Sequence, residues 1–279
     1  MKWIFAFLLA IVIFGSAAFF GYEIFVRPAL IEQAEKRAGV KPRPTPDVSL
    51  PEFQAAQRLK EEGRLTEARA ALTAFIQKYP SGAHAGEAED LLGDVNMTIL
   101  FSDYPSPEKE IYVVRSGDVL ARIAQKFKTT PELIMRTNNL SGTMLRIGQK
   151  LLVSHPKFSL LIQRDAKWLY LLDHEHFFKR YRILDENLPG KQPPKINTRV
   201  AEIMAWKDGK RVGIGSRQFL NSTRWIRLAT PGYLIYSEPD DSHQILDVPP
   251  PAEGIGLSAS DVEELSSLVN TRTAVTVVP

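Results

Sequence analysis

The stretch from Ile111 to Ser154, IYVVRSGDVLARIAQKFKTTPELIMRTNNLSGTMLRIGQKLLVS, constrains this chain more than any other, because all of its local signals specify one small unit. Tyr112, Val113 and Val114 favour an extended strand and run into a Ser116-Gly117 turn. Asp118 stands where an N-cap carboxylate would accept the free amides of a helix. Leu120, Ile123, Ala124 and Phe127 recur at helical spacing and give that helix one apolar face. Thr130 and Pro131 read as the N-cap and first residue of a second short helix carrying Leu133, Ile134 and Thr137, with Asn138-Asn139 closing it. Gly148 to Val153 supplies a last strand. The predicted order is strand, helix, helix, strand.

Tyr112-x-Val114, Gly117-Asp118-Val119-Leu120, Ile123-Ala124, Phe127, Leu133, Asn138 and Gly148-Gln149-x-Leu151 make residues 110–154 resemble a LysM domain. The resemblance implies a module for N-acetylglucosamine-containing glycans such as peptidoglycan and chitin. Its sugar groove would run between Gly117, Asp118, Val119 and Leu120 on one side and Asn138, Asn139, Leu140 and Ser141 on the other. Main-chain groups would pair with acetamido groups there, and small apolar side chains would take the acetyl methyl. Asp118 and Asn138 themselves read first as caps. Val119 stands where the family usually has threonine, which removes a hydroxyl.

A chain of 279 residues leaves room for further domains. Residues 1–26 contain WIFAFLLAIVIFGSAAFFGY, a run without charge long enough to span a bilayer as a helix. It reads as an uncleaved anchor in the inner membrane with the bulk of the chain in the periplasm. The competing reading is a signal peptide cut near Ser16-Ala17-Ala18, followed by secretion. Residues 27–50 form a linker, helical at first and then extended through Lys41-Pro-Arg-Pro-Thr-Pro46. Over 51–103 the periodicity is helical: Phe53, Ala56 and Leu59, then Ala68, Ala71, Leu72, Phe75 and Ile76, then Ala85, Ala88, Leu91, Leu92 and Val95. Gly63, Ala68, Tyr79-Pro80 and Ala88 resemble a tetratricopeptide repeat. So short a repeat should pack on another domain, a second copy or a protein partner.

From 156 to 279 the pattern turns to β. FSLLIQ, KWLYLL, FFKRYRIL, RVAEIMAW, RWIRL and GYLIYS read as strands, with turns at 173–176 and 207–210. Ser258 or Ser260 can cap a helix from Asp261 to Val269, with Glu263 as capping-box partner of Ser260, and 273–278 ends the chain as a strand. KWLYLL, GYLIYS and GLSASDVEELSSLVNTRTAVTVV give this part a resemblance to the L,D-transpeptidase (YkuD) domain, which acts on peptidoglycan stem peptides through a cysteine acyl-enzyme. The family's catalytic motifs fall here on Tyr236-Ser237 and on 251–256, with Ala252 at the base's place, Gly254 at the nucleophile's and Gly256 at the arginine's.

The chain has no cysteine, which excludes disulfides, thiolate metal sites and a cysteine nucleophile. Glycine and alanine cannot supply a nucleophile and its base. Ser258 with His243 is the remaining pair for altered chemistry. His174 and His176 lack a third metal ligand, and Trp168, Trp206 and Trp225 read as core. No cofactor or metal is expected. A net charge of +3 is too slight to imply nucleic acid. The sequence thus predicts a multidomain α+β envelope protein: an N-terminal membrane helix, a helical hairpin segment, a βααβ glycan-binding domain and a mainly-β domain without its catalytic residues. An adaptor that recruits a protein through 51–100 and an enzyme with non-standard residues are the alternatives.

Overall fold

The structure is a computed structural model that describes Arg27 and residues 47–188, 195–239 and 246–279. The expected membrane helix at 1–26, nearly all of the 27–50 linker and His243 lie outside the described residues. No described helix is long and apolar enough to cross a membrane. Residues 49–279 form one compact unit, to which the following description refers.

Three helices open it: α1 (Leu50–Glu61), α2 (Leu65–Lys78) and α3 (Ala85–Phe101). Pro51 sits in the first turn of α1, where its missing amide costs nothing, and Gly63 turns the chain at φ +74. Phe53, Ala56, Ala68, Leu72, Phe75, Ala88 and Leu92 fill the space between the helices. The βααβ unit follows as β1 (Lys109–Val113), α4 (Leu120–Lys126), α5 (Pro131–Thr137) and β2 (Lys150–Ser154), with β1 and β2 antiparallel. Leu120, Ile123, Ala124, Ile134, Leu151 and Val153 form its core, as the periodicity predicts.

Ten strands make up the remaining sheet among the described residues. They are β3 (Phe158–Gln163), β4 (Trp168–Asp173), β5 (His176–Arg182), β6 (Asp185–Asn187), β7 (Ile196–Lys207), β8 (Lys210–Arg211), β9 (Thr223–Leu228), β10 (Leu234–Glu238), β11 (Gly254–Ser258) and β12 (Ala274–Val278). Their order is β5-β4-β3-β12-β7-β9-β10-β11-β6, with β8 on β7. β7 pairs with β12 along its first half and with β9 along its second, and a bulge at Val200–Glu202 bends it between them. Helix α6 (Ala259–Leu268) lies on β9, β10 and β11.

The three sequence segments share one core. Met97 and Leu100 of α3 and Leu133 of α5 belong to the same buried cluster as Leu160, Ile226 and Ile255 of the sheet. Gly93 of α3 lies so close to β5 that a Cβ there would stand 3.0 Å from Lys179 Cγ. Asn96 donates to the Phe178 carbonyl at 2.8 Å, and Arg180 reaches Glu89, Asp90 and the Gly86 carbonyl. The three-helix segment therefore packs on the sheet through α3. On the other side, Thr130 donates to the Ser267 carbonyl of α6, Thr137 donates to the Leu100 carbonyl at 3.1 Å, and Arg136 pairs with Glu263 at 2.7 Å. At the centre of this contact Glu132 of α5 meets Arg224 of β9, both buried, at 3.0 Å.

Three local expectations are corrected. Val119, not Asp118, is the N-cap of α4; the Asp118 carboxylate folds back instead over its own turn, accepting from the Arg115 amide at 2.8 Å and the Tyr112 hydroxyl at 2.7 Å. Of the two serines that could cap α6, Ser258 does so by accepting from the Asp261 amide at 3.1 Å, and the capping box expected between Ser260 and Glu263 does not form, because Glu263 bonds Arg136. Trp168, Trp206 and Trp225 are half-buried rather than core: Arg180 and Arg182 lie 4.1 and 5.0 Å from the Trp168 ring centre, and Trp206 and Trp225 pack on each other at 5.3 Å.

Candidate functional site

The two loops expected to hold sugar are each tied to the same β ribbon. Tyr112 of β1 holds the first through Asp118. The second is fixed by Asn138, whose amide nitrogen donates to the Ile134 and Leu152 carbonyls and whose amide oxygen accepts from the Leu152 amide at 2.7 Å. Tyr112 and Leu151 are register partners, so the pairing of β1 with β2 brings the two loops side by side. Asn139 turns α5 off in the left-handed region at φ +53; its amide bonds the Arg136 carbonyl and that of Leu140 bonds the Met135 carbonyl.

This accounting divides the eight predicted residues. Leu120 is core and Asn138 is spent on the fold. Asp118 is an internal brace, and fixing its turn holds its carboxyl below the usual range through the Arg115 amide and the Tyr112 hydroxyl. Gly117, Val119, Asn139 and Ser141 are exposed and Leu140 is half-buried. Among the described residues the amides of Ser116, Gly117, Val119 and Ser141 have no intramolecular partner. Beside the predicted Val119, sequence reasoning missed Val113, Met144 and Ile147, which with it are among the few large hydrophobics left exposed, Met144 at 91%. Met144 and Ile147 sit in a loop bracketed by Gly142 and Gly148, and hydrophobic residues in such a loop were the available signal.

Residues 112–154 match the LysM family model, described as a LysM domain. That segment is a LysM domain. Among solved structures the chain is similar to L,D-transpeptidase 1 of Mycobacterium tuberculosis, at 9% identity over 47% of this chain and 66% of that one with a TM-score of 0.29. It is similar also to an L,D-transpeptidase from Mycobacterium smegmatis (12%, 48% and 65%, TM-score 0.31) and to a mutant of the Enterococcus faecium L,D-transpeptidase (13%, 43% and 49%, TM-score 0.29). These matches span two thirds or less of the relatives' lengths.

The four residues onto which the transpeptidase resemblance places the catalytic motifs, Tyr236, Ala252, Gly254 and Gly256, are divided between a packed cluster and its rim. Tyr236 on β10 is opposite Gly256 on β11, and its ring lies across both Gly256 and Gly254. A Cβ on Gly254, at φ +142, would stand 2.4 Å from the Leu234 carbonyl oxygen and 2.9 Å from the Tyr236 ring. Tyr236 is 2% exposed and donates to Asp185 at 2.7 Å; burial, and then that carboxylate, raises its phenol well above its ordinary value. Ala252 is exposed, and its carbonyl accepts from Asn187 at 2.6 Å. It borders a cavity of about 410 Å3 walled by Trp225, Arg227 and Leu234. Ser258 is occupied as a cap.

Glu238 lies at the edge of this cluster. Burial, and then Asp185, push its carboxyl above the ordinary 4.5. The folded chain thus holds a proton that the unfolded chain releases, so between those two values stability falls as pH rises. Glu238→Gln is expected to raise the thermal midpoint near pH 7 and to leave it nearly unchanged near pH 4; a variant equally destabilised at both would contradict this origin.

Proposed function

We propose that this chain is a cell-envelope protein that binds peptidoglycan through its LysM unit, is tethered to the inner membrane by residues 1–26, and carries a C-terminal domain that performs no acyl transfer. The observation that carries the glycan reading is the pairing of partnerless amides at Ser116, Gly117, Val119 and Ser141 with exposed Val119, Met144 and Ile147. An N-acetylglucosamine unit presents a carbonyl to such amides, and a methyl and a ring face to such side chains. Because Val119 and Ser141 are exposed, charges can be placed there without disturbing the core. Val119→Glu combined with Ser141→Glu is expected to weaken co-sedimentation with sacculi about tenfold, or about 1.4 kcal/mol, with an unchanged unfolding midpoint. Pelleting equal to that of the parent chain would reject the groove.

The non-catalytic reading of 156–279 is supported by the lack of cysteine and by the crowding at Gly254. An adaptor role for 51–100 remains the second reading. It would use the outer faces of α1 and α2, because α3 is taken up against β5.

A further inference from the structure

A cavity of about 570 Å3 opens between the LysM unit and the C-terminal domain, on the α4–α5 turn and away from the sugar loops. Three separate stretches bring cations to it: Lys126 and Lys128 from the end of α4, Lys157 from the connection between β2 and β3, and Arg272 from the α6–β12 turn. All four are exposed, and among the described residues none pairs with a carboxylate. Lys126 lies over the Tyr112 ring at 4.7 Å. His155 and His174 complete the rim. The carboxylates near them are turned to these histidines, Asp173 at 2.8 Å from His174 and Glu110 at 3.9 Å from His155.

Asp173 also accepts from the Lys157 amide at 2.8 Å, and Asp118 feels the charge of Lys126, but the side chains of Lys128, Lys157 and Arg272 have no ion-pair partner among the described residues. The second observation is polar. Thr129, which also lines the cavity, is 9% exposed, and its hydroxyl is buried without a hydrogen-bond partner. A smaller cavity of about 260 Å3 shares His155 and His174 and is lined by Ser154, 3% exposed and likewise without a partner for its hydroxyl. Buried hydroxyls are nearly always bonded, so Thr129 at the wall of the basic cleft leaves a hydrogen bond to be met by water or by a group from outside the chain.

We infer that this cleft binds the oxyanion groups of an acidic ligand, carboxylate or phosphate, through Lys128, Lys157 and Arg272. Two sources share that chemistry: free phosphate, and the peptide carboxylates of the polymer held at the sugar loops, the latter resting on the glycan reading above. Charge attraction in a partly enclosed cleft should make binding steeply salt-dependent.

The test titrates the full-length chain, in neutral detergent at low salt, with neutral tetra-N-acetylglucosamine, a disaccharide-tetrapeptide and inorganic phosphate. The variant is Lys128→Gln/Lys157→Gln/Arg272→Gln, whose three exposed positions leave the core intact. The expected result is a loss of about tenfold or more in affinity for the disaccharide-tetrapeptide, with that for the neutral oligosaccharide unchanged. A comparable loss confined to phosphate supports the site and assigns it to the free anion. Failure of the neutral oligosaccharide to bind, with charge-dependent binding of either acidic probe intact, removes the glycan reading and keeps the cleft. Acidic probes that bind parent and variant equally, or that do not bind the parent at all, overturn the inference.

Discussion

Arg224→Ala is expected to lower the unfolding free energy by about 3–5 kcal/mol, and Glu132→Ala by a similar amount. Arg224 has no exposed side-chain surface and Glu132 only 5%. The guanidinium is held on every side: it donates to Glu132 at 3.0 and 3.4 Å, to Ser222 Oγ at 3.0 Å and to the Phe219 carbonyl at 2.6 Å, with Phe219 stacked beneath it at 3.7 Å. Removing Glu132 leaves Arg224 as a buried charge without its counter-ion, and removing Arg224 leaves the buried Glu132 with Arg136 alone, at 3.3 Å; breaking such a pair costs far more than the pair contributes. Since folded domains are stable by only about 5–15 kcal/mol, either substitution should be visible in urea unfolding and should loosen the LysM unit from the sheet. Arg224→Met with Glu132→Leu separates this account from a general sensitivity of the site. With both charges gone the contact becomes apolar, and the double variant should recover most of the loss. Single variants costing less than about 1 kcal/mol would mean that the pair does not join the domains.

What the sequence makes legible follows the reach of its signals. The LysM order, the strands FSLLIQ and KWLYLL and the turn at Asp208-Gly209, with both residues at positive φ, come from propensities acting within a few residues. Thr130 capping α5 is as local, its hydroxyl accepting from the Leu133 amide at 2.9 Å. The Arg224–Glu132 pair joins positions 92 apart and leaves no periodic trace. GIGLS is not among the strands the sequence offers, since two glycines in five residues weaken any strand signal; it is strand β11, and its glycines let it pass beneath Tyr236. Asp118 was misread for a similar reason. The rule that places an acid before a helix cannot see Tyr112, six residues back, offering that acid its hydroxyl. At the loops proposed to hold sugar, the backbone turns were readable from Gly117 and Asn139, whereas the exposure of Met144 and Ile147 depends on how the loop lies on the finished unit.

Gly254→Cys, which puts a thiol where the proposed transpeptidase ancestry would have its nucleophile, is expected to destabilise the chain by about 3 kcal/mol or more and to yield no transpeptidation. The new Cβ would meet the Leu234 carbonyl oxygen at 2.4 Å and the Tyr236 ring at 2.9 Å, at a φ of +142 that side-chain-bearing residues rarely adopt. Two obstacles are present, and they can be told apart. Tyr236→Ala removes the ring but leaves the Leu234 carbonyl, which belongs to β10 and is fixed by that strand's pairing with β11. Gly254→Cys/Tyr236→Ala should therefore remain as unstable as the single variant or be less stable, because a buried tyrosine has also been lost. Gly254→Ala isolates the backbone clash from the sulfur and should be nearly as damaging as cysteine. Activity has its own reason to stay absent. An acyl-enzyme needs a base to take the thiol proton, and Ala252 offers none. Mass spectrometry of muropeptides incubated with each purified variant, read beside its unfolding curve, checks both parts: a folded Gly254→Cys chain of near-parental stability would sink the packing argument, and a cross-linked product from any of the three would sink the proposal that the domain has left catalysis.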